Sequence, residues 1–280
     1  MKEHLKNYIY IIYMKNLYLT GGAFGMIYQM GALKQLRKMK KLDDYILYSC
    51  SAGALTGVMV LLEYSDDDIL SIYNEIADLA RNKIQSKPYS YNSYCITPYH
   101  FKAFEKINKE HPNAYKVITK KCLHIGVTRQ DKFKWYNKFK SNHELFNILL
   151  CSFHIPFLCS YNALINDIVC IDGSFGFDYN KHLPEDTLFI CPRIANTKRK
   201  EVLNGKMSLK FCATPPPPKA IKKFYNKGMS DMFNFLKYAK YSTPYKQKFF
   251  ESIFDIIPNT FWWCLRNLQP LDTVNVVTNI

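Results

Sequence analysis

The chain has 280 residues, of which 48% are hydrophobic and 22% are charged. This composition excludes a wholly disordered or collagen-like chain, and the length allows a large core without metals or disulfides. Lysine and arginine number 38 against 23 aspartate and glutamate residues, so the formal net charge is +15, and such a surface favours anionic partners.

No motif in the sequence indicates that this positive charge serves to bind nucleic acid. The densest basic run, 198–200, is short, and no recognition motif accompanies it. The nine cysteines show no C-x-x-C spacing, so we expect reduced thiols, no metal site and no cofactor. The apolar run 8–13 is too short for a signal peptide or a membrane span. We therefore expect an intracellular protein, either cytoplasmic or peripheral to a membrane, and its oligomeric state stays open.

Two strand–turn–helix units open the predicted element order. Each has an apolar strand, a turn of small residues and a helix with apolar periodicity, which is typical of an α/β fold with a parallel sheet. They are strand 16–19, turn 20–25, helix 26–39, strand 45–48, turn 49–53 and helix 54–62.

The later predicted elements continue this mixed pattern. An acidic helix start at Ser65 suits the positive helix N-terminus, and four prolines at 215–218 form a stiff connector. The elements are helix 65–82, a polar surface excursion 83–99, strand 121–128 with a hairpin partner 132–139, helix 142–151, strands 167–171 and 187–191, and a basic amphipathic helix 219–238.

Ser51 lies in the second turn, Ser49-Cys50-Ser51-Ala52-Gly53, between an apolar strand and an apolar helix. Acyl transfer needs a hydroxyl presented on a sharp strand-to-helix turn with small flanking residues, where the helix N-terminus faces the reacting carbonyl. The pattern indicates a nucleophile. A turn that only lets the helix and strand pack closely would explain the same residues.

The first turn, Gly21-Gly22-Ala23, offers backbone N–H groups to an anion. These residues alone leave three interpretations open: a phosphate cradle, an oxyanion hole or a simple helix start. The dinucleotide fingerprint G-x-G-x-x-G and the phosphate-loop signature Gly-Lys-Ser/Thr do not occur at this turn.

Asp172 ends a predicted buried strand and precedes Gly173. A carboxylate held there by a glycine turn is expected at the carboxyl edge of the sheet, where α/β active sites form. A plain Asp-Gly turn is the alternative.

Together these motifs resemble the patatin-like phospholipase family, which combines a glycine-rich oxyanion loop, a G-x-S-x-G nucleophile elbow and a downstream D-G-G or D-G-A aspartate. Residues 151–156 are similar to its A-S-x-x-I-P segment, and residues 31–36 to its G-V-L-x-x-L helix. The resemblance spans 16–195 and implies a three-layer α/β/α patatin-like fold with a mostly parallel central sheet and a nucleophile elbow.

The resemblance also implies an activity. A lipid acyl hydrolase would cleave carboxylic ester bonds of phospholipids or acylglycerols with a Ser-Asp dyad and no histidine. Ser51 would be the nucleophile and Asp172 the base, while Gly21, Gly22 and Ala23 would form the oxyanion hole.

The chain departs from the family pattern at a few positions. Ser49 replaces the first glycine of the elbow, which would cost about 1–2 kcal/mol if its φ were positive. Ala23 replaces the third glycine of the loop, and Gly25-Met26 stand where the family has Arg-Gly. Ser174 follows Asp172-Gly173.

We divide the chain into an N-terminal extension 1–13, a catalytic domain 14–212 and a helical, aromatic-rich C-terminal segment 213–280 that packs on the same domain. The basic helix 219–238 and Trp262-Trp263 either contact an anionic membrane peripherally or cap the core.

Two other functions remain open. The departures in the loop favour a catalytically inactive lipid-binding or interaction module with the same fold. A conventional α/β-hydrolase would need a Ser-Asp-His triad, in which the histidine normally follows the acid. Only His182 does so here.

Overall fold

The structure is a computed structural model, and it describes most of the chain up to residue 239. The predicted extension 1–13 and the aromatic residues Trp262-Trp263 lie outside the described residues. These residues are 14–86, 95–130, 132–156, 158–159, 162–193 and 201–239.

An eight-stranded sheet forms the centre of the described part, in the order β5-β6-β3-β2-β1-β7-β8, with β4 paired to β3. The pairs β1–β2, β2–β3, β1–β7 and β7–β8 are parallel, whereas β3–β4, β3–β6 and β5–β6 are antiparallel. The strands are β1 (Lys15–Leu19), β2 (Tyr45–Cys50), β3 (Leu123–Arg129), β4 (Lys132–Tyr136), β5 (Leu164–Ile165), β6 (Ile168–Asp172), β7 (Leu188–Cys191) and β8 (Val202–Asn204).

Helices alternate with these strands along the chain, and the mixed α/β fold class expected from the sequence is confirmed. In chain order they are α1 (Met26–Lys38), α2 (Ala52–Leu61), α3 (Asp66–Ser86), α4 (Thr97–Glu110), α5 (Ala114–Lys120), α6 (Asn142–Phe153), α7 (Tyr179–His182), α8 (Leu209–Ala213) and α9 (Pro218–Tyr238).

The two faces of the sheet have different coverings, because side chains alternate along each strand. Leu17 and Leu19 of β1 belong to the large core shared with the long helices. Tyr18 points to the other face, where its ring stacks on Phe177 with centroids 4.7 Å apart. An aromatic cluster covers that face, formed by Tyr18, Tyr48, Phe133, Trp135, Phe177 and Phe189.

The sequence predicts a surface excursion over 83–99, and this prediction is wrong at both ends. Helix α3 continues to Ser86 and α4 begins at Thr97. Pro98 stands in the first turn of α4, where its missing N–H removes no helical hydrogen bond. Tertiary packing stabilises α4, because its buried Phe104 stacks on Phe146 of α6 with ring centroids 4.7 Å apart.

The apolar side of α9 packs on α1. A Cβ at Gly228 would lie 2.0 Å from the Tyr28 carbonyl oxygen, and a Cβ at Gly31 would lie 2.0 Å from the Tyr225 carbonyl oxygen. The two helix backbones therefore touch through a glycine on each side. Among the helices that the structure describes, none is long and apolar enough to cross a membrane.

Gly228→Ala is expected to destabilise the fold by about 1–3 kcal/mol, because the added methyl group overpacks the contact between α9 and α1. An alanine in a helix interior normally stabilises by up to about 1 kcal/mol, so the sign of the change is diagnostic. Urea denaturation measures it, with Asn226→Ala on the exposed side of α9 as the control. Equal stability of the two variants would contradict the close packing.

Candidate functional site

The ends of β2 and β6 meet on β3. β4 pairs with β3 along Ile125–Arg129, and both other registers overlap that range, so β2 and β6 must share the opposite edge of β3. Cys50 ends β2 opposite Gly126, and Asp172 ends β6 opposite Val127. These two positions on β3 are about 3.3 Å apart. Ser51, which follows β2, and Asp172, which ends β6, are thereby brought together.

Strand direction explains why Asp172 lies close to Ser51. The sequence predicts that Asp172 ends a strand at the carboxyl edge of the sheet, and it does not give the direction of that strand. Because β2 runs parallel to β3 and β6 runs antiparallel to it, the carboxyl ends of β2 and β6 face each other.

Ser51 forms the turn between β2 and α2. Its backbone has φ 55° and ψ −139°, a left-handed conformation that is strained for a residue with a Cβ. Gly53 allows α2 to start close to β1, because a Cβ there would lie 2.5 Å from the Leu19 carbonyl oxygen. The hydroxyl is thus presented at the N-terminus of a buried helix, where the helix dipole favours negative charge.

Ser49 causes no backbone strain. It lies within β2, is fully buried, and is not among the residues with positive φ. Its hydroxyl donates to the carbonyl oxygen of His124 at 3.1 Å. The cost of about 1–2 kcal/mol that a positive φ would impose does not apply at this position, and the strain lies at Ser51 instead.

Asp172 is a buried carboxyl group, 2% exposed. Burial raises its pKa to about 6, against hydrogen bonds from the Ser51 side chain and from the backbone and side chain of Ser174, which lower it. The Ser174 N–H donates to Asp172 Oδ1 at 2.8 Å. The carboxylate is therefore a stronger base than an exposed aspartate and is still mostly ionised at neutral pH.

The glycine-rich loop lies against both hydroxyl groups. A Cβ at Gly21 would lie 2.7 Å from Ser174 Oγ and 3.2 Å from Ser51 Cβ, so a side chain there would displace the Ser174 hydroxyl. Ala23 has φ 44°, a conformation that favours glycine. It begins the 3₁₀ turn Ala23–Gly25, so the N–H groups of Gly22 and Ala23 have no acceptor within that turn.

An apolar cavity of about 90 Å³ opens beside Ser51. The loop, the five helices α1, α2, α3, α4 and α6, and the segment after α6 supply its walls, which are almost entirely apolar. The lining residues are Ala23, Phe24, Met26, Met30, Ser51, Ala52, Leu55, Met59, Ile72, Tyr73, Ile76, Ile96, Tyr99, His100, Phe153 and Ile155.

Sequence reasoning did not identify three polar residues around Ser51. Ser152 accepts a hydrogen bond from the Ser51 N–H at 3.0 Å, and Ser174 supplies a second hydroxyl beside Asp172. His100 lines the cavity, and burial together with nearby His154 lowers its pKa to about 3, so its imidazole is neutral. Ser152 lies in the segment 151–156 and Ser174 in the motif that begins at Asp172, but the sequence assigned no role to either, and His100 carried no sequence signal.

His182 lies in the aromatic cluster. Its Nδ1 accepts from the Asp178 N–H at 2.9 Å, and its ring contacts Phe133 with centroids 4.5 Å apart. It is not part of the cavity wall. Among the described residues, no three His, Cys, Asp or Glu side chains lie together as metal ligands would.

A family model described as Patatin-like phospholipase matches residues 17–178, which is more than half of the chain. A comparison with curated proteins gives no match. Two solved structures are similar at 11% identity, and 80% of this chain is covered in each case. They are VipD from Legionella pneumophila, at TM-score 0.44 and 67% of that chain, and the ExoU–SpcU complex of the Pseudomonas aeruginosa type III secretion system, at TM-score 0.46 and 51% of that chain.

Asp172→Asn is expected to stabilise the fold by about 3 kcal/mol at about pH 8, and the gain should vanish at about pH 3, below the unfolded-state pKa. Burial raises the pKa of Asp172 from 3.8 to about 6, so the folded state disfavours the ionised form. The penalty is absent while the carboxyl group is protonated in both states, and it is complete once the pH exceeds the folded-state pKa.

Urea denaturation at both pH values measures this effect. Asp178→Asn is the control, because hydrogen bonding to the Asn180 N–H lowers the pKa of Asp178, and its removal should give no gain at high pH. A gain for Asp172→Asn that is equal at both pH values would show that the carboxylate is not destabilised by burial.

Proposed function

Because the chain belongs to the patatin-like phospholipase family, we propose that it is a lipid acyl hydrolase that cleaves carboxylic ester bonds of phospholipids or acylglycerols. Ser51 is the nucleophile and Asp172 is the base. The observation that carries this proposal is the pairing of β2 and β6 end to end on β3, which places Ser51 next to the buried Asp172 carboxyl group, with Ser51 in the wall of an apolar cavity.

The reaction follows from these two groups. Ser51 Oγ attacks the ester carbonyl carbon while Asp172 accepts the hydroxyl proton. The tetrahedral intermediate collapses, the carbon–oxygen bond to the leaving alcohol breaks, and Asp172 returns the proton to that alcohol. Water then attacks the acyl-enzyme, Asp172 takes a proton from it, and the carboxylic acid leaves as Ser51 Oγ recovers a proton.

The pKa of about 6 for Asp172 suits this role. At neutral pH the group is ionised and able to accept a proton, and its affinity for the proton exceeds that of an exposed aspartate. In this proposal no imidazole stands between the two side chains, which is supported by the facing ends of β2 and β6.

The N–H groups of Gly22 and Ala23 are proposed to stabilise the negative charge that develops on the carbonyl oxygen. They precede or begin a helical turn and are therefore available as donors. Gly21 lets this loop approach Ser51. The left-handed backbone of Ala23 keeps the loop shape that glycine would give, so replacement of the third loop glycine leaves the donors in place.

The cavity supports an acyl chain as the group next to the scissile carbonyl. Its walls combine methionine, leucine, isoleucine and aromatic side chains with Ser51 among them, which matches an apolar chain and disfavours a charged headgroup in that space. The headgroup would lie outside the cavity. Contact with anionic membranes rests on the formal net charge of +15 and stays a prediction.

Ser51→Ala is expected to reduce hydrolysis of a chromogenic short-chain ester by about 10³-fold or more, because it removes the attacking oxygen of the proposed mechanism. It should also abolish labelling by a fluorophosphonate probe while the melting temperature stays similar. His182→Ala is the control and should keep its activity, since that ring belongs to the aromatic cluster.

The result also decides between the open alternatives. Wild-type turnover in Ser51→Ala would overturn the assignment of the nucleophile. A folded wild-type protein that neither reacts with the probe nor hydrolyses esters would be the inactive lipid-binding module. Loss of activity in His182→Ala without loss of stability would favour the Ser-Asp-His triad.

Ile76→Trp is expected to lower turnover of a long-chain ester by roughly tenfold or more while a short-chain ester is cleaved normally. Ile76 lines the cavity from α3, and the larger ring would fill the space for the distal part of the chain. Leu79→Trp, on the same helix but 44% exposed, is the matched control. Equal effects on both esters would show that the cavity does not hold the acyl chain.

A further inference from the structure

We propose that Ser152, near the end of α6, is a positioning residue that holds the Ser51 backbone against β3 and so fixes the nucleophile relative to Asp172. This inference rests on the proposed function and extends it to a residue that contacts neither substrate nor the reacting atoms. The geometry that points to it is a chain of two hydrogen bonds.

The Ser152 hydroxyl bridges two backbones. Its Oγ accepts from the Ser51 N–H at 3.0 Å and donates to the Gly126 carbonyl oxygen at 2.7 Å. The residue is fully buried, so exchange of these hydrogen bonds for bonds to solvent would require local opening. One hydroxyl thus uses both its donor and an acceptor site, and joins the elbow to the central strand.

The same segment also holds the aspartate. The Asp172 N–H donates to the carbonyl oxygen of His154 at 2.8 Å. Ser152 and His154 are two residues apart. The Ser152 hydroxyl accepts from the backbone N–H of Ser51, and the His154 carbonyl oxygen accepts from the backbone N–H of Asp172. The end of α6 therefore spans the junction at which β2 and β6 meet.

The Gly126 carbonyl lies at the centre of that junction. A Cβ at Gly173 would lie 2.2 Å from the Gly126 oxygen, so the residue after Asp172 packs directly on the group that Ser152 binds. Movement of this carbonyl would displace Ser51 and the Asp172–Gly173 turn together. Many serine hydroxyls in helices only satisfy their own hydrogen-bonding capacity. The Ser152 hydroxyl differs because it binds a carbonyl group on which Gly173 also packs.

Strain at Ser51 gives the bridge a function. A residue with φ 55° and ψ −139° relaxes toward a more common conformation unless its surroundings hold it. Loss of the acceptor for its N–H removes one of those restraints. Displacements of about 1 Å between reacting groups can lower rates by about 10²-fold.

Ser152→Ala removes the bridge with little change in volume. We expect kcat to fall by roughly 10–10²-fold with KM unchanged, and amide hydrogen exchange of the Ser51 N–H to become faster. Ser152→Cys keeps the shape but is a weaker donor and acceptor, so its kcat should lie between those of wild type and Ser152→Ala. It also serves as the second variant if Ser152→Ala does not fold.

Thr187→Val is the matched control. It also removes a buried hydroxyl that donates to a backbone carbonyl, that of Pro184 at 2.7 Å, but it lies before β7, at the end of the sheet opposite Ser51. A change in kcat no larger than that of Thr187→Val, or a rise in KM with kcat unchanged, would overturn the positioning role.

The exchange measurement distinguishes this inference from the proposed function. If the wild-type protein hydrolyses no ester, the proposed function fails, yet the Ser51 N–H must still exchange faster in Ser152→Ala for the bridge to be real. Unchanged exchange in that variant would overturn the inference whether or not the protein is an enzyme.

Discussion

The structure depends on one strand edge that two other strands share. β2 and β6 pair end to end with the same side of β3, and their carboxyl ends stop at Gly126 and Val127. Because β3 continues through both registers and is held on its other side by β4, the separation of the two ends is fixed by the backbone itself. A hydroxyl and a carboxylate from residues 51 and 172 can therefore meet without an intermediary side chain.

This arrangement buries the carboxyl group of Asp172, which makes its ionised form unfavourable in the folded state. The junction is dry enough that burial raises the pKa of Asp172, so ionisation of this group opposes folding. The same shift makes the carboxylate a better base for an alcohol. Hydrogen bonding by Ser51 and Ser174 lowers the pKa and so moderates the penalty, and the large core that includes α1, α2 and α9 stabilises the described part of the chain.

Two residues with a left-handed backbone lie at the same place. Ser51 and Ala23 lie on the two turns that approach each other at Gly21, and both have positive φ. Ser49, by contrast, has an ordinary strand conformation. A departure from the family pattern therefore does not by itself strain the backbone at that residue. What decides is the local backbone: Ser49 continues a strand, and Ala23 begins a helical turn.

The sequence by itself determined the order of the elements, the small-residue turns and the identity of Ser51 and Asp172 as candidates, because strand and turn patterns are local. It also indicated the helix 219–238 through its periodicity. It missed α4, whose stability comes from contacts such as Phe104 with Phe146. Only the tertiary structure decided that β6 is antiparallel, that His182 joins the aromatic cluster and that Ser152 bridges Ser51 to Gly126. These facts depend on pairing between residues more than twenty positions apart, for which a local pattern carries no signal.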